Sequence, residues 1–335
     1  MLNKIYEKIK QFILENYKFL IALILIVVTL TYEFPYVVYT PGGIVNLENR
    51  IKIENDIENK GSFNMSYVTL RKGNLPSILL SYVIKDWDLI KENEITSDNE
   101  SVDDLLKLEK LYMNSSIDNA TILAYQKAGK SINITKNINN VIYIDKLAKT
   151  DLKIYDKIVS VDGNTINTID DLKEYINTKK EHDIINFDVL NNDKKATRKA
   201  EVIKIGDELK VGIAFLTTYE YDTDPSIKVK TKSSESGSSG GLMLSLAIYN
   251  KLIDKDITKG KKVVGTGTID IYGNVGKIDG VKYKILGAVK NKADLFICPE
   301  ENYEEAIKVK KEHKIDLKII SVKTFDDVIN YLEEN

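Results

Sequence analysis

The hydrophobic pattern opens on a lysine-bearing stretch, with Lys4, Lys8, Lys10 and Lys18, that leads into an uncharged and largely apolar run from Phe19 to Tyr32. As a helix the run is about 21 Å long against a hydrocarbon core of ~30 Å, a length compatible with a signal peptide or with an anchor. Lys18 can snorkel at one end, Phe34 to Tyr39 extends the apolar character past Glu33, and no small-x-small cleavage signature follows. These features favour an anchor. The expectation is a cytoplasmic N-terminus over 1–18, a single-pass transmembrane anchor over 19–38, and extracytoplasmic domains after it, because the basic flank stays inside.

Beyond the anchor the periodicity changes several times. Tyr39-Thr40-Pro41-Gly42-Gly43 is a Pro-Gly turn opening a mixed strand and helix region that runs to about Gly129 and ends in a helical stretch from Ile117 to Lys127. Alternation in Ile158 to Val161, an Asp162-Gly163 turn and a capped helix after Thr168 predict strand, hairpin, helix. Leu242 to Tyr249 reads as an apolar helix, Val281 to Lys290 as an amphipathic one, and Ile297-Cys298 as part of a strand. The class is α+β, and roughly 295 residues outside the membrane suffice for two or three modest domains.

Composition removes several function classes. With 48 Lys+Arg against 50 Asp+Glu the formal net charge is −2, which leaves no basic footprint for nucleic acid. The single cysteine, Cys298, cannot form an internal disulfide, and no His/Cys/Asp cluster has metal-ligand spacing, so neither metal nor cofactor is expected. Ala128-Gly129-Lys130-Ser131 imitates the end of a phosphate-binding loop, but Ala124 stands where that motif needs glycine, and the segment reads as a helix-ending glycine beside a solvated lysine.

Candidate chemistry lies in Ser233-Ser234-Glu235-Ser236-Gly237-Ser238-Ser239-Gly240-Gly241, which runs straight into the predicted helix at Leu242. On composition the stretch is a polar linker. A serine at such a junction can also be a nucleophile, with unpaired N–H groups of the helix start available to an oxyanion. The usual base is histidine, yet His182 and His313 both sit in charged, solvated contexts. Lysine remains, and a lysine base must be desolvated, since at a reference pKa near ~10.4 only about one in a few thousand is neutral at pH 7. On a helix from Val281, Lys284 has Val281 and Ala288 one turn away on either side, while Lys282 has Leu286 and Val289, so helical spacing alone leaves both open.

Together with Gly265-Thr266-Gly267-Thr268 and Gly280-Val281-Lys282-Tyr283-Lys284, the serine segment resembles the proteolytic domain of the Lon proteases. The resemblance covers about Lys204 to the C-terminus. It implies a Ser-Lys dyad of Ser239 and Lys284, with Thr266 helping to hold the lysine and Ser238 as a rival nucleophile. The chain departs from the family at Ser238, where proline is usual, at Gly240, where alanine is usual, and at Asp279, where the first of two glycines is usual. A turn more flexible than the family's is therefore expected. The segment from Leu152 to Ile176 resembles the middle of a PDZ domain, a fold that binds extended peptides by adding a strand to a sheet edge. Tyr155 occupies a family glycine position, and a carboxylate-binding loop near Asn137 to Val141 is not recognisable.

The domain expectation is a juxtamembrane region over 39–129, a PDZ-like domain over 130–203 and a Lon-type protease domain over 204–335. Nothing resembles the ATPase module of cytosolic Lon proteases. The resemblance thus implies an ATP-independent serine endopeptidase acting on peptide or flexible protein substrates at the membrane, with the PDZ-like unit presenting substrate or regulating. The competing expectation is a catalytically impaired Lon-fold surface protein that serves as a peptide-binding adaptor.

Overall fold

A computed structural model describes residues 2–54, 59–95, 102–192 and 194–335. The first helix, α1 (Leu2–Thr31), is continuous through the lysine-bearing stretch and the apolar run. None of its apolar length is covered by the rest of the protein. It is followed by β1 (Phe34–Asn46), β2 (Ile51–Ile53), β3 (Ser62–Gly73), the short helix α2 (Leu75–Val83), β4 (Asp88–Lys91) and the long helix α3 (Val102–Lys127). Residues 34–38, expected to lengthen the membrane span, instead begin β1. Val37 and Val38 are fully buried, and β1 pairs with β3 on one side and β4 on the other. An apolar run that is β-branched and aromatic fits a strand buried on both faces as well as it fits lipid.

The chain then forms β5 (Ser131–Ile144), β6 (Lys157–Val161), α4 (Ile169–Asn177), β7 (Ile184–Asn191), β8 (Lys194–Glu201), the β9 (Ile203–Ile205) and β10 (Glu208–Lys210) hairpin, and β11 (Ile213–Asp224). These strands give a sheet ordered β11-β5-β6-β7-β8 over its own core of Val141, Leu172, Ile185, Phe187 and Val189. The predicted strand, turn and helix are here: Gly163 has φ +79°, and Thr168 caps α4 by accepting the Asp171 N–H while the Asp171 carboxylate accepts the Thr168 N–H. Tyr155 takes a left-handed φ of +71°, the backbone geometry a glycine would adopt without strain. β11 pairs with β5 from Ser131↔Asp224 to Ile144↔Ile213. The sheet therefore extends to Asp224, beyond the boundary expected at residue 203.

The last third contributes β12 (Ile227–Val229), α5 (Gly241–Leu252), β13 (Lys262–Gly265), β14 (Thr268–Ile269), β15 (Val275–Gly276), α6 (Val281–Lys290), β16 (Leu295–Pro299), α7 (Tyr303–Glu312), β17 (Lys318–Val322) and α8 (Phe325–Glu334). Its strands do not close on themselves. The main sheet is ordered β17-β16-β13-β3-β1-β4, with β3 lying parallel to β13 in the register Ser62↔Lys262 to Met65↔Gly265. The region expected to be a separate juxtamembrane unit thus supplies half of the sheet that carries the C-terminal elements. Phe63 and Leu123 share one core with Leu242, Met243, Ile297 and Phe325.

Helix α3 joins the two sheets. One face places Ala120, Leu123 and Ala124 in the core shared with α5. The other holds β11: Ser115 Oγ donates to Thr217 O at 2.8 Å, and the Asp118 carboxylate accepts the Tyr219 N–H at 2.9 Å and the Tyr221 hydroxyl at 3.4 Å. The helix ends where Gly129 turns to φ +65° and the Lys130 N–H closes on Tyr125 O, so the sequence that imitates a phosphate loop is a helix C-cap.

Burial pushes the Asp118 carboxyl up to about 6, against the two donated hydrogen bonds that favour its charged form. A carboxyl raised above its unfolded value adds stability below the unfolded pKa and loses it as pH rises through the folded one. Asp118→Asn keeps an acceptor for Tyr219. It is expected to be about 1–3 kcal/mol more stable than the parent at pH 8, with the difference vanishing below about pH 4. Denaturant melts at the two pH values measure this.

Candidate active site

The turn that carries the serines is held by its neighbours on every side. The Gly237 N–H donates to Glu109 O at 2.8 Å, and Ser116 Oγ donates to Ser238 O at 3.0 Å, both from α3. From the other side the Gly267 N–H and Thr266 Oγ1 both donate to Ser239 O, at 2.8 and 2.9 Å, and the Leu242 N–H donates to Gly267 O at 3.0 Å. Gly240 has a φ of −92°, a conformation open to any residue. Its glycine serves packing: a Cβ there would come within 2.7 Å of Met65 Sδ.

Ser239 lines a cavity of about 490 Å³ together with Met65, Ser66, Tyr67 and Met113. Ser238 is not among the lining residues, and its carbonyl is held by Ser116. At the start of α5 the Gly241 and Leu242 N–H groups are committed to Ser238 O and Gly267 O. Among the described residues, the N–H groups of Ser239 and Gly240 have no protein acceptor, so these are the donors left for an oxyanion.

The structure separates the two candidate lysines. Lys282 Nζ lies 2.7 Å from Asp88 Oδ2 and 3.6 Å from Asp86 Oδ1 at the surface. Lys284 is 3% exposed, on the face of α6 that carries fully buried Val281, Ile285 and Ala288. Gly280 starts this helix at φ +71°, a left-handed position where a Cβ would also meet Val68 Cγ2 at 2.9 Å. Burial holds the Lys284 ammonium down at about 8, while the charges of Asp279 and Glu109 pull it back up.

Glu109 was invisible in the sequence, one acidic residue on a helix rich in Lys and Glu. Folding sets its backbone carbonyl on Gly237 and its Oε2 3.0 Å from where a Gly237 Cβ would stand. Burial, followed by the nearby Asp279 charge, raises its carboxyl, and Lys284 lowers it. Burial also raises the Tyr39 hydroxyl of β1, reinforced by Glu109 and Asp279. The candidate base therefore sits in a half-buried cluster with Glu109, Asp279 and Tyr39, and Glu109 ties that cluster to the serine turn.

Ser239 and Thr266 are joined directly, but the Thr266 hydroxyl donates to the Ser239 carbonyl, so it positions the turn. Among the described residues Ser239 Oγ and Lys284 Nζ share no hydrogen bond. Catalytic hydrogen bonds are often long before substrate arrives. His182 is exposed and bound to Glu201 at 2.7 Å. His313, expected on the solvated surface, is half-buried with Nε2 3.4 Å from Asp86. Cys298 lies in β16, and burial pushes its thiol up to about 12. Among the described residues no three His, Cys, Asp or Glu side chains converge as metal ligands would.

Residues 227–334 match the family model of the Lon protease C-terminal proteolytic domain, and residues 136–202 match the PDZ domain. The Lon protease of Campylobacter jejuni is 36% identical over 96 residues, 28% of this chain and 12% of that protein. The Lon protease of Fusobacterium nucleatum is 35% identical over 92 residues, again 28% of this chain and 12% of that protein. The match thus spans a small fraction of these relatives. A crystal structure of the PDZ domain of the SdrC-like protein of Listeria monocytogenes aligns at 19% identity and a TM-score of 0.23, over 25% of this chain and 93% of that one.

Two consequences are measurable. A lysine whose pKa falls on folding costs stability when it must be charged, and the cost is largest below the folded value and gone above the unfolded one. Lys284→Met is therefore expected to gain about 1–3 kcal/mol at pH 7 and nothing above about pH 10.5. Glu109→Gln removes a charge that favours the ammonium, so the midpoint of Lys284 modification by an amine-reactive reagent, followed by peptide mass mapping, moves below about 8.

Proposed function

Since the chain carries a PDZ domain and a Lon-type proteolytic domain, we propose that it is a membrane-anchored, ATP-independent serine endopeptidase in which Ser239 is the nucleophile and Lys284 the base. The observation that carries this reading is a buried lysine held down at about 8, linked to the turn that presents Ser239 through Glu109, whose charge acts on Lys284 and whose backbone carbonyl accepts the Gly237 N–H. At that pKa roughly a tenth of the side chains are neutral at pH 7, compared with about one in a few thousand for an ordinary lysine.

In the proposed reaction, neutral Lys284 takes the Ser239 proton as Oγ attacks the peptide carbonyl carbon. The oxyanion is received by the N–H groups of Ser239 and Gly240, held in place because Ser239 O is fixed by Gly267 and Thr266. Lys284 then gives its proton to the departing amine as the C–N bond breaks. Water attacks the resulting ester with Lys284 again accepting the proton, which passes to Ser239 Oγ as the ester C–O bond breaks, so that the acid product leaves and both side chains return to their starting forms. A cavity of about 490 Å³ suits a few side chains of an extended peptide, so substrates are peptides or flexible proteins. In this reading the PDZ unit, whose strand β11 pairs with β5 and is bonded to α3 through Ser115, presents such chains or regulates the protease. α1 supplies the anchor, with its basic end cytoplasmic and the enzyme outside.

A second reading, the catalytically impaired peptide-binding adaptor, draws on the missing Ser239–Lys284 hydrogen bond. Turnover separates the two. Ser239→Ala and Lys284→Met in the full chain are each expected to lower cleavage of an unfolded protein substrate at least about a hundredfold. The parent rate should rise with pH to a plateau above about 8. Full activity in either variant would overturn the dyad, and stoichiometric peptide binding without turnover by the parent would favour the adaptor.

A further inference from the structure

We propose that α2 is a second membrane-contacting element, lying in the lipid interface beside the exit of α1 and holding the folded domains in one orientation over the bilayer. The proposal rests on the reading of α1 as an anchor.

Helix α2 is turned inside out relative to a surface helix of a soluble protein. Its one buried residue is a serine, Ser77, used in the N-terminal cap: Asn74 Oδ1 accepts the Ser77 N–H and Ser77 Oγ accepts the Asn74 N–H, each at 3.0 Å. The outward residues are apolar, with Leu79 57%, Tyr82 78% and Val83 82% exposed, continued by Leu80 and Ile84. No charged residue occurs from Asn74 to Ile84. Each such side chain left in water forgoes about 1.5–3 kcal/mol of burial.

The position of the helix identifies what covers it. Asn74 Nδ2 donates to Leu30 O at 3.2 Å, and Lys72 pairs with Glu33 at 3.2 Å, so α2 begins against the last turn of α1. There Val27, Val28 and Leu30 are about half exposed, and Tyr32 stacks edge-on to Phe34 at 4.8 Å. Exposed apolar surface is therefore continuous from the end of α1 onto α2. A helix of nine residues, about 13.5 Å long, can lie flat at the headgroup level. The flanking Arg71 and Lys85 are exposed at positions suited to phosphates, and Tyr82 has the amphipathic ring favoured at the interface. One helix crossing a bilayer leaves the attached domains free to swing, and a second contact removes that freedom.

The test uses the full chain in vesicles with the single native Trp87 replaced by phenylalanine and one tryptophan introduced, at Val27 in α1 or at Tyr82 in α2. Lipids brominated near the top of their acyl chains report contact by quenching. Both Val27→Trp and Tyr82→Trp are expected to lose at least about twofold in emission. Quenching of Val27→Trp without quenching of Tyr82→Trp overturns the proposal and leaves the anchor intact. Quenching of neither overturns the anchor and the proposal with it. A blue-shifted, unquenched Tyr82→Trp that reddens on dilution into excess lipid means that a second copy covers α2, which also overturns it.

Discussion

Desolvation of one amine depends on a sheet assembled from the two ends of the chain. Four parallel pairings, Ser62↔Lys262 to Met65↔Gly265, fasten β3 to β13 and build the surface against which α6 lies. Lys284 is dry because Gly280 allows α6 to start close to Val68 of β3. Without the N-terminal strands α6 would have no cover over that face, and Lys284 would be an ordinary surface cation. The segment between α1 and the PDZ strands is therefore part of the structure that buries Lys284.

The same coupling shapes the serine turn. Polar atoms from α3 on one side and from the loop after β13 on the other bond residues 237–239 of this serine- and glycine-rich turn. Gly240 admits Met65 of β3, and the absence of a side chain there brings the sheet and the turn into contact. α3 also binds β11 through Ser115 and Asp118, so one helix contacts both the PDZ sheet and the serine turn.

Electrostatics at the site is a balance of opposed effects. Burial lowers the Lys284 pKa, and Asp279 with Glu109 limits the fall. An amine in a wholly apolar pocket would be neutral but too weak a base, whereas a fully paired one would stay protonated. On the proposed reading of Lys284 as a base, burial and the two carboxylates together leave a sizeable neutral fraction without removing its basicity. Lys282, two residues away, shows the alternative outcome: it reaches Asp86 and Asp88 and is paired with them.

The sequence by itself determined the local elements: the apolar N-terminal helix, the strand, turn and capped helix around Asp162 and Thr168, the helices starting at Gly241 and Val281, and the serine and lysine motifs that resemble the Lon proteolytic domain. These depend on periodicity, caps and turn residues within a few positions of one another. Only the tertiary structure decided that residues 34–38 enter a sheet, that β3 pairs with β13, that β11 belongs with the PDZ strands, that Glu109 faces the site, and that Lys284 is buried while Lys282 is paired. Each of these depends on a partner far away in the chain, and hydrophobic patterning records that a face is apolar without recording which distant surface will cover it.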